Sequence, residues 1–335
     1  MEAHRPRGPA LTLFFLAPLV GEVLFGATPL TRLPTLVGLV AIYGGGALLV
    51  RELVRGRGLG LGWLLLGGVA YAVIEEGLVV QSLFNPLFKG LDFLGRYGRA
   101  GGVSWVWSVF IVGYHAVFSI TLPILLAEVA FADRRREPWL DRRGLVLVAA
   151  LFVLDCSWLA FGYTGVLRPG YHNPAPAVMI GAALLVAGIV AAIARARPAP
   201  RAARPGRAPP SPRRLRLAAL GGALAWFAVR MFLTDPHYPV AAPLLGDAAV
   251  IALLAALAAR WSATGAWTPE HHYALAAGPL PASWLFGFLV VAVSSPIPPV
   301  DLVGHALLGV VMLVALRRLH RRVRARGPTA RAAVA

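Results

Sequence analysis

The sequence predicts an all-α, polytopic integral membrane protein of about ten transmembrane helices, with both termini on the cytoplasmic side. Three observations predict it. The 335 residues are 58% hydrophobic and only 14% charged, whereas a soluble domain is about 25% charged. Apolar windows of roughly 20 residues, each the length a bilayer core requires, recur along the chain. Arg gathers in every second turn between those windows, which is the charge asymmetry that orients membrane proteins.

The windows follow in order. The first, 11–27, lies behind Arg5 and Arg7 and resembles a signal peptide, but no small-residue cleavage site follows, so it is read as a span. The second, 33–53, carries Gly44, Gly45 and Gly46, a close-packing surface inside an apolar helix. The third, 59–84, and fourth, 103–131, hold the acids and imidazole treated below. The fifth and sixth are 143–163 and 174–194. Segment 195–216, with eight Arg and six Pro, reads as an unfolded cytoplasmic linker drawn to anionic headgroups. Windows seven to ten are 215–233, 242–259, 276–294 and 299–316. The expected organisation is therefore a bundle over 1–194, the linker, a second bundle over 217–316, and a basic tail over 317–335. Trp226–Gly246 and Trp284–Gly304 have equal lengths and each crosses a Pro-containing turn, which suggests repeated hairpins.

With the N-terminus inside, 26 of the 32 basic residues fall in cytoplasmic segments and five outside. The outside five are Arg32, Lys89, Arg96, Arg99 and Arg168. The net charge of +17 is almost all Arg, Lys89 being the only Lys. Its clustering between apolar windows makes it a topology signal and excludes a nucleic-acid footprint. The Ala, Arg, Gly and Pro bias points to a GC-rich bacterium, hence to the inner membrane. Cys156 is the lone cysteine, so no intrachain disulfide is expected. Trp105, Trp107 and Trp139 fit interfacial belts, and Glu128 is expected to reach the interface from its helix end.

Ionisable groups inside hydrocarbon cost several kcal/mol unless they face the interior and find partners. Here they include Glu22, Glu75, Glu76, His115, Asp155, Arg230, Asp247, Asp301 and His305. Tyr71, Glu75 and Ser82 share one helical face, and Glu76 points roughly 100° away. Ser104, Ser108, His115 and Ser119 form a polar stripe on the next span. Glu75, Glu76, His115 and Asp155, with Tyr71 and Ser119, are the candidate substrate or proton-coupling site. They suit a proton relay, a divalent metal or a polar substrate group. Asp301 with His305 is read as a local hydrogen bond, and Arg230 with Asp247 as an ion pair. Lys89, Arg96 and Arg99, in one outside loop, suit an anionic group.

Glu75-Glu76 followed by His115 on the next span resembles the CPBP (Abi) intramembrane proteases, whose elements are EExxxR, FxxxH and a third with a second His. Val80 stands where that Arg would be, and Ile111 where the Phe would be, with Phe110 one position earlier. Asp155 or His172 would have to serve as the third element. The resemblance implies a membrane-embedded hydrolase. The leading expectation from the residues is a small-molecule or ion permease. The alternatives are that hydrolase, possibly metal-dependent, and a structural or assembly protein.

Overall fold

The computed structural model describes residues 8–88, 91–166, 174–198, 208–262 and 267–326. It is mostly helical. The helices are α1 Gly8–Val23, α2 Ala41–Arg55, α3 Leu61–Val79, α4 Trp105–Ala130, α5 Arg142–Gly162, α6 Pro176–Arg195, α7 Pro212–Leu233, α8 Ala241–Trp261, α9 Pro269–Ser294 and α10 Pro298–Ala325. Among the described residues, α3 to α10 are each long and apolar enough to cross a membrane. A 3₁₀ segment, Leu30–Gly38, meets α2 at 60°, and the pair counts as a ninth crossing if taken as one broken span. α1 is a shorter apolar helix.

The ends of these helices follow from local chemistry. Asp141 caps α5 by accepting from the Gly144 N–H at 2.6 Å, and Ser211 caps α7 by accepting from the Arg214 N–H at 3.3 Å. Pro opens α6, α7, α9 and α10, where the missing N–H costs no intrahelical bond. Two boundaries differ from expectation. Residues 212–216, assigned to the linker, are the first turns of α7, and the supposed tail is helical to Ala325. A strongly basic helix end can protrude from a membrane, so the charge that ends an apolar window does not end the helix. Between α3 and α4, strands β1 Arg99–Ala100 and β2 Val103–Ser104 pair antiparallel. Gly101 and Gly102, both at positive φ, make the two-residue turn.

α4 is the most enclosed helix. Small residues let its neighbours approach. A Cβ on Gly68 of α3 would stand 2.7 Å from Ala116 Cα, and one on Gly44 of α2 would stand 2.1 Å from the Phe14 carbonyl oxygen of α1. Phe25, Tyr114, Phe118, Phe227 and Phe286 stack into one aromatic core, with Phe227 and Phe286 centroids 4.6 Å apart and Phe25 and Tyr114 4.1 Å apart. Side chains from before and after the 195–216 segment therefore share a single core.

One end of the bundle holds a buried charge cage. Glu128 accepts from Arg55 through both oxygens, at 2.7 and 2.8 Å, and lies 3.4 Å from Arg135. Arg51, fully buried, donates to Glu52 at 2.5 Å and to the Glu137 and Arg135 carbonyls at 2.9 Å each. Its guanidinium lies 3.7 Å from the centroid of the Trp139 ring. Glu128 and Trp139, which the sequence places toward the interface, are both enclosed by protein. Three guanidinium groups converge on the Glu128 carboxylate, and that of Arg51 lies over the Trp139 ring.

Candidate functional site

Four helices bring polar groups to one place, and each is π-helical there. The wide turns are Leu19–Val23 in α1, Ala41–Gly45 in α2, Val73–Val79 in α3 and His115–Thr121 in α4. Such i→i+5 turns are rare and frequent at functional sites. They carry, in order, Glu22, Tyr43, the pair Glu75 and Glu76, and the pair His115 and Ser119.

His115 is the centre. Its Nδ1 is hydrogen-bonded to Ser119 Oγ at 2.8 Å and lies 3.2 Å from Glu75 Oε2. Its Nε2 lies 3.0 Å from Glu76 Oε1. Both carboxylates therefore meet the same imidazole, although they were expected to diverge. The wider π turn rotates adjacent residues less, and the ring sits between them. The other oxygen of Glu76 accepts from Ser82 Oγ, which in turn accepts from Trp107 Nε1 at 2.9 Å. Ser82 thus serves Glu76, not Glu75. Gln81, at φ 63°, turns the chain out of the π segment and brings Ser82 back.

Tyrosines wall the ring. Tyr43, Tyr71 and Tyr114 have centroids 5.9, 6.2 and 5.5 Å from that of His115. Tyr43 Oη donates to Glu22 Oε1 at 2.5 Å, and Thr28 Oγ1 donates to Glu22 Oε2 at 2.8 Å. A third carboxylate thus stands one tyrosine away from the cluster. Tyr114 Oη donates to the Gly21 carbonyl at 2.9 Å, which ties α1 to α4. Tyr71 Oη and Glu75 Oε2 are buried with no hydrogen-bond partner. The sequence reading weighed Glu22 only as one acid among several and passed over Tyr43. The available signal was a lone Tyr beside a glycine run in an apolar helix.

The other candidates are not part of this cluster. Asp155 is drawn away because its Oδ2 accepts from the Ile42 N–H at 2.8 Å. The 60° break before α2 frees donors at that helix start, and a carboxylate satisfies one of them. Asp301 accepts from Thr31 N at 2.8 Å, Thr31 Oγ1 at 2.7 Å and Ser295 Oγ at 2.5 Å. It does not bond His305, whose Nε2 takes the Trp284 carbonyl at 2.9 Å. Three donors from the adjoining turns outcompete one imidazole on its own helix. Arg230 and Asp247 form no ion pair within 4 Å among the described residues. Arg230 lies 5.6 Å from the Phe110 ring centroid, and Asp247 Oδ1 is buried without a hydrogen-bond partner. Arg99 turns inward to the Phe84 and Gly102 carbonyls at 2.6 and 2.8 Å and to Ser104 Oγ at 3.1 Å. It knits its own loop, while Arg96 is exposed. Lys89 and His172 lie outside the described residues.

One donor atom each from Glu75, Glu76 and His115 lies within 4.8 Å of the others, a spacing a single metal ion can bridge. The same arrangement can hold a water between a carboxylate and an imidazole, or pass a proton through the ring.

No curated protein and no solved structure matches the chain. A family model described as an uncharacterized membrane protein family does match, over residues 11–335, and the chain belongs to that membrane protein family.

Proposed function

We propose that this protein is a multi-pass hydrolase of the bacterial inner membrane, with both termini cytoplasmic and about ten crossings, that cleaves an amide bond in a membrane-embedded substrate. One observation carries the reading: two adjacent carboxylates, Glu75 buried and Glu76 half-buried, close on the two nitrogens of one imidazole. Glu75, with an oxygen free of hydrogen bonds, is the base that takes a proton from water as its oxygen adds to the carbonyl carbon. His115, oriented by Ser119 and Glu76, delivers a proton to the departing amine. The resemblance of Glu75-Glu76 and His115 to the CPBP proteases points the same way, and Val80 marks where it departs. The permease expected from the sequence drew on Asp155 as a fourth member, and Asp155 is committed to the start of α2.

The test reconstitutes the full chain in phospholipid vesicles with a library of single-span peptides and reads products by mass spectrometry. New cleavage products are expected with the wild type. At least a hundredfold less is expected with Glu75→Gln or His115→Ala, in line with the loss of a general acid or base. Equal products from wild type and variants overturn the proposal. A proton-coupled permease is the second reading, favoured by the same imidazole bridging two carboxylates. Its signature is a pH gradient that the wild type dissipates and His115→Ala does not.

A further inference from the structure

We propose that Arg230 and Asp247 form a site for a zwitterionic phospholipid headgroup that ends in a primary ammonium, with the phosphate on the guanidinium and the ammonium on the carboxylate. The site is apart from the Glu75–His115 cluster and does not depend on the hydrolase reading. Among the described residues of α8, only Pro243 and Asp247 are buried. They are four apart, so this otherwise exposed helix has one enclosed face and places an acid on it. Asp247 is 3% exposed, and its Oδ1 has no hydrogen-bond partner. A buried ionisable group inside a membrane that lacks a partner marks a functional position.

Arg230 enters the same seam from α7. A Cβ on Gly246 would lie 3.0 Å from Val229 and 3.1 Å from Leu233, so the neighbours Asp247 and Arg230 stand at one level of the α7–α8 contact. Among the described residues Arg230 has no hydrogen-bond or ion-pair partner, and its guanidinium lies 5.6 Å from the centroid of the Phe110 ring of α4. Trp226, four positions earlier on α7, stacks on the same ring at 6.3 Å and buries an Nε1 with no acceptor. The turn that carries Arg230, Val229–Leu233, is π-helical, as are the four turns of the His115 cluster, and such turns gather at functional sites.

Charge and depth name the occupant. A lone anion would answer Arg230 and repel Asp247, and a lone cation would do the reverse. A zwitterion brings acceptors to the guanidinium and N–H donors to the carboxylate, and phosphate is the anion that Arg matches best. Arg230 is three residues before the end of α7 and Asp247 six after the start of α8, about 5 and 9 Å from those ends at 1.5 Å per residue. Both ends belong to the side assigned to the outside, so the pair sits where headgroups meet hydrocarbon. The two levels differ by less than one helical turn, which suits a headgroup lying along the membrane plane. Met231, Phe232 and Leu245, all exposed beside the pair, are apolar, as neighbours of acyl chains should be.

The experiment titrates the delipidated full chain in detergent with phosphatidylethanolamine, phosphatidylcholine and phosphatidylglycerol of matched acyl chains, and counts bound lipid by native mass spectrometry. Choline keeps the phosphate and the positive charge but offers no N–H, and glycerol keeps the phosphate but offers no cation. Wild type is expected to hold phosphatidylethanolamine about tenfold more tightly than either, the worth of a hydrogen bond to a charged group. Asp247→Asn should abolish that preference and keep phosphate binding. Arg230→Gln should weaken all three lipids, and Asp235→Asn, in the turn between α7 and α8, should change nothing. Equal affinity of the wild type for the three lipids overturns the proposal and leaves a buried water between the two charges. An unchanged preference in Asp247→Asn overturns it too. If Asp247→Asn fails to fold, the wild-type comparison of the three lipids decides alone. Soluble O-phosphoethanolamine that binds as tightly as the lipid assigns the site to a free zwitterion and overturns the headgroup.

Discussion

At the scale of single residues, where a buried charge finds a partner the choice is set by competing donors, and Asp247 Oδ1 finds none among the described residues. Glu128 is the most heavily committed: Arg55 donates to both of its oxygens, and Arg135 and Arg51 lie 3.4 and 3.9 Å away. Removing one partner from such an enclosed set strands the others. Glu128→Ala should therefore lower stability by about 3–5 kcal/mol, read as a fall in the unfolding midpoint of the detergent-solubilised protein. A midpoint within error of the wild type would show that the cage is solvated and contributes little. The sequence located these ionisable residues but not their partners. Asp301 and His305 are four apart on one helix, and spacing alone pairs them. The competitors, Thr31 and Ser295, lie on other segments, and their arrival depends on tertiary structure. Asp155 is the same case, since the Ile42 N–H it satisfies exists as a free donor only because the chain breaks before α2.

At the scale of elements, eight of the ten apolar windows match helices long and apolar enough to cross a membrane, because hydrocarbon thickness imposes a length that composition records, while α1 is shorter and the second window is broken by the 60° turn before α2. What the windows do not record is helix pitch. A 3.6-residue period puts Glu75 and Glu76 about 100° apart, whereas the π turns over Val73–Val79 and His115–Thr121 let one ring reach both. Nothing in residue type distinguishes a π turn from an α turn. Packing is better encoded, since small residues mark close approach. Gly44 should be intolerant of a methyl group, because its Cβ would meet the Phe14 carbonyl oxygen, a backbone atom that no side-chain rotation can move. Gly44→Ala is expected to cost about 1–3 kcal/mol through overpacking. Gly188 in α6 has open space around its Cβ position, so Gly188→Ala should be neutral or gain up to about 1 kcal/mol from helix propensity. Thermal unfolding of the two variants side by side checks the contrast, and equal shifts would refute the close α1–α2 contact.

At the scale of the whole molecule, the arginine alternation and the helix packing are independent lines that meet. The sequence assigns 51–57, 134–143, 195–216 and 317–331 to one side of the membrane. Among the described residues, parts of those regions and their neighbours meet at one end: Arg55 binds Glu128, Arg57 donates to the Ala194 carbonyl at 3.2 Å, and Arg326 donates to the Val129 and Ala130 carbonyls at 3.2 and 3.1 Å. At the opposite end Thr31 binds Asp301, and Tyr97 donates to the Tyr238 carbonyl at 3.1 Å. Because Cys156 is the only cysteine, a Cys156→Ser background can carry one new thiol at a time. Asp133→Cys should stay unlabelled when intact cells meet a membrane-impermeant maleimide, and should label once the membrane is opened. Arg96→Cys and His237→Cys, both exposed on the other end, should label from outside without opening. The reverse pattern would invert the orientation and leave the fold intact. Labelling of Asp133→Cys and His237→Cys from the same side would break the alternation.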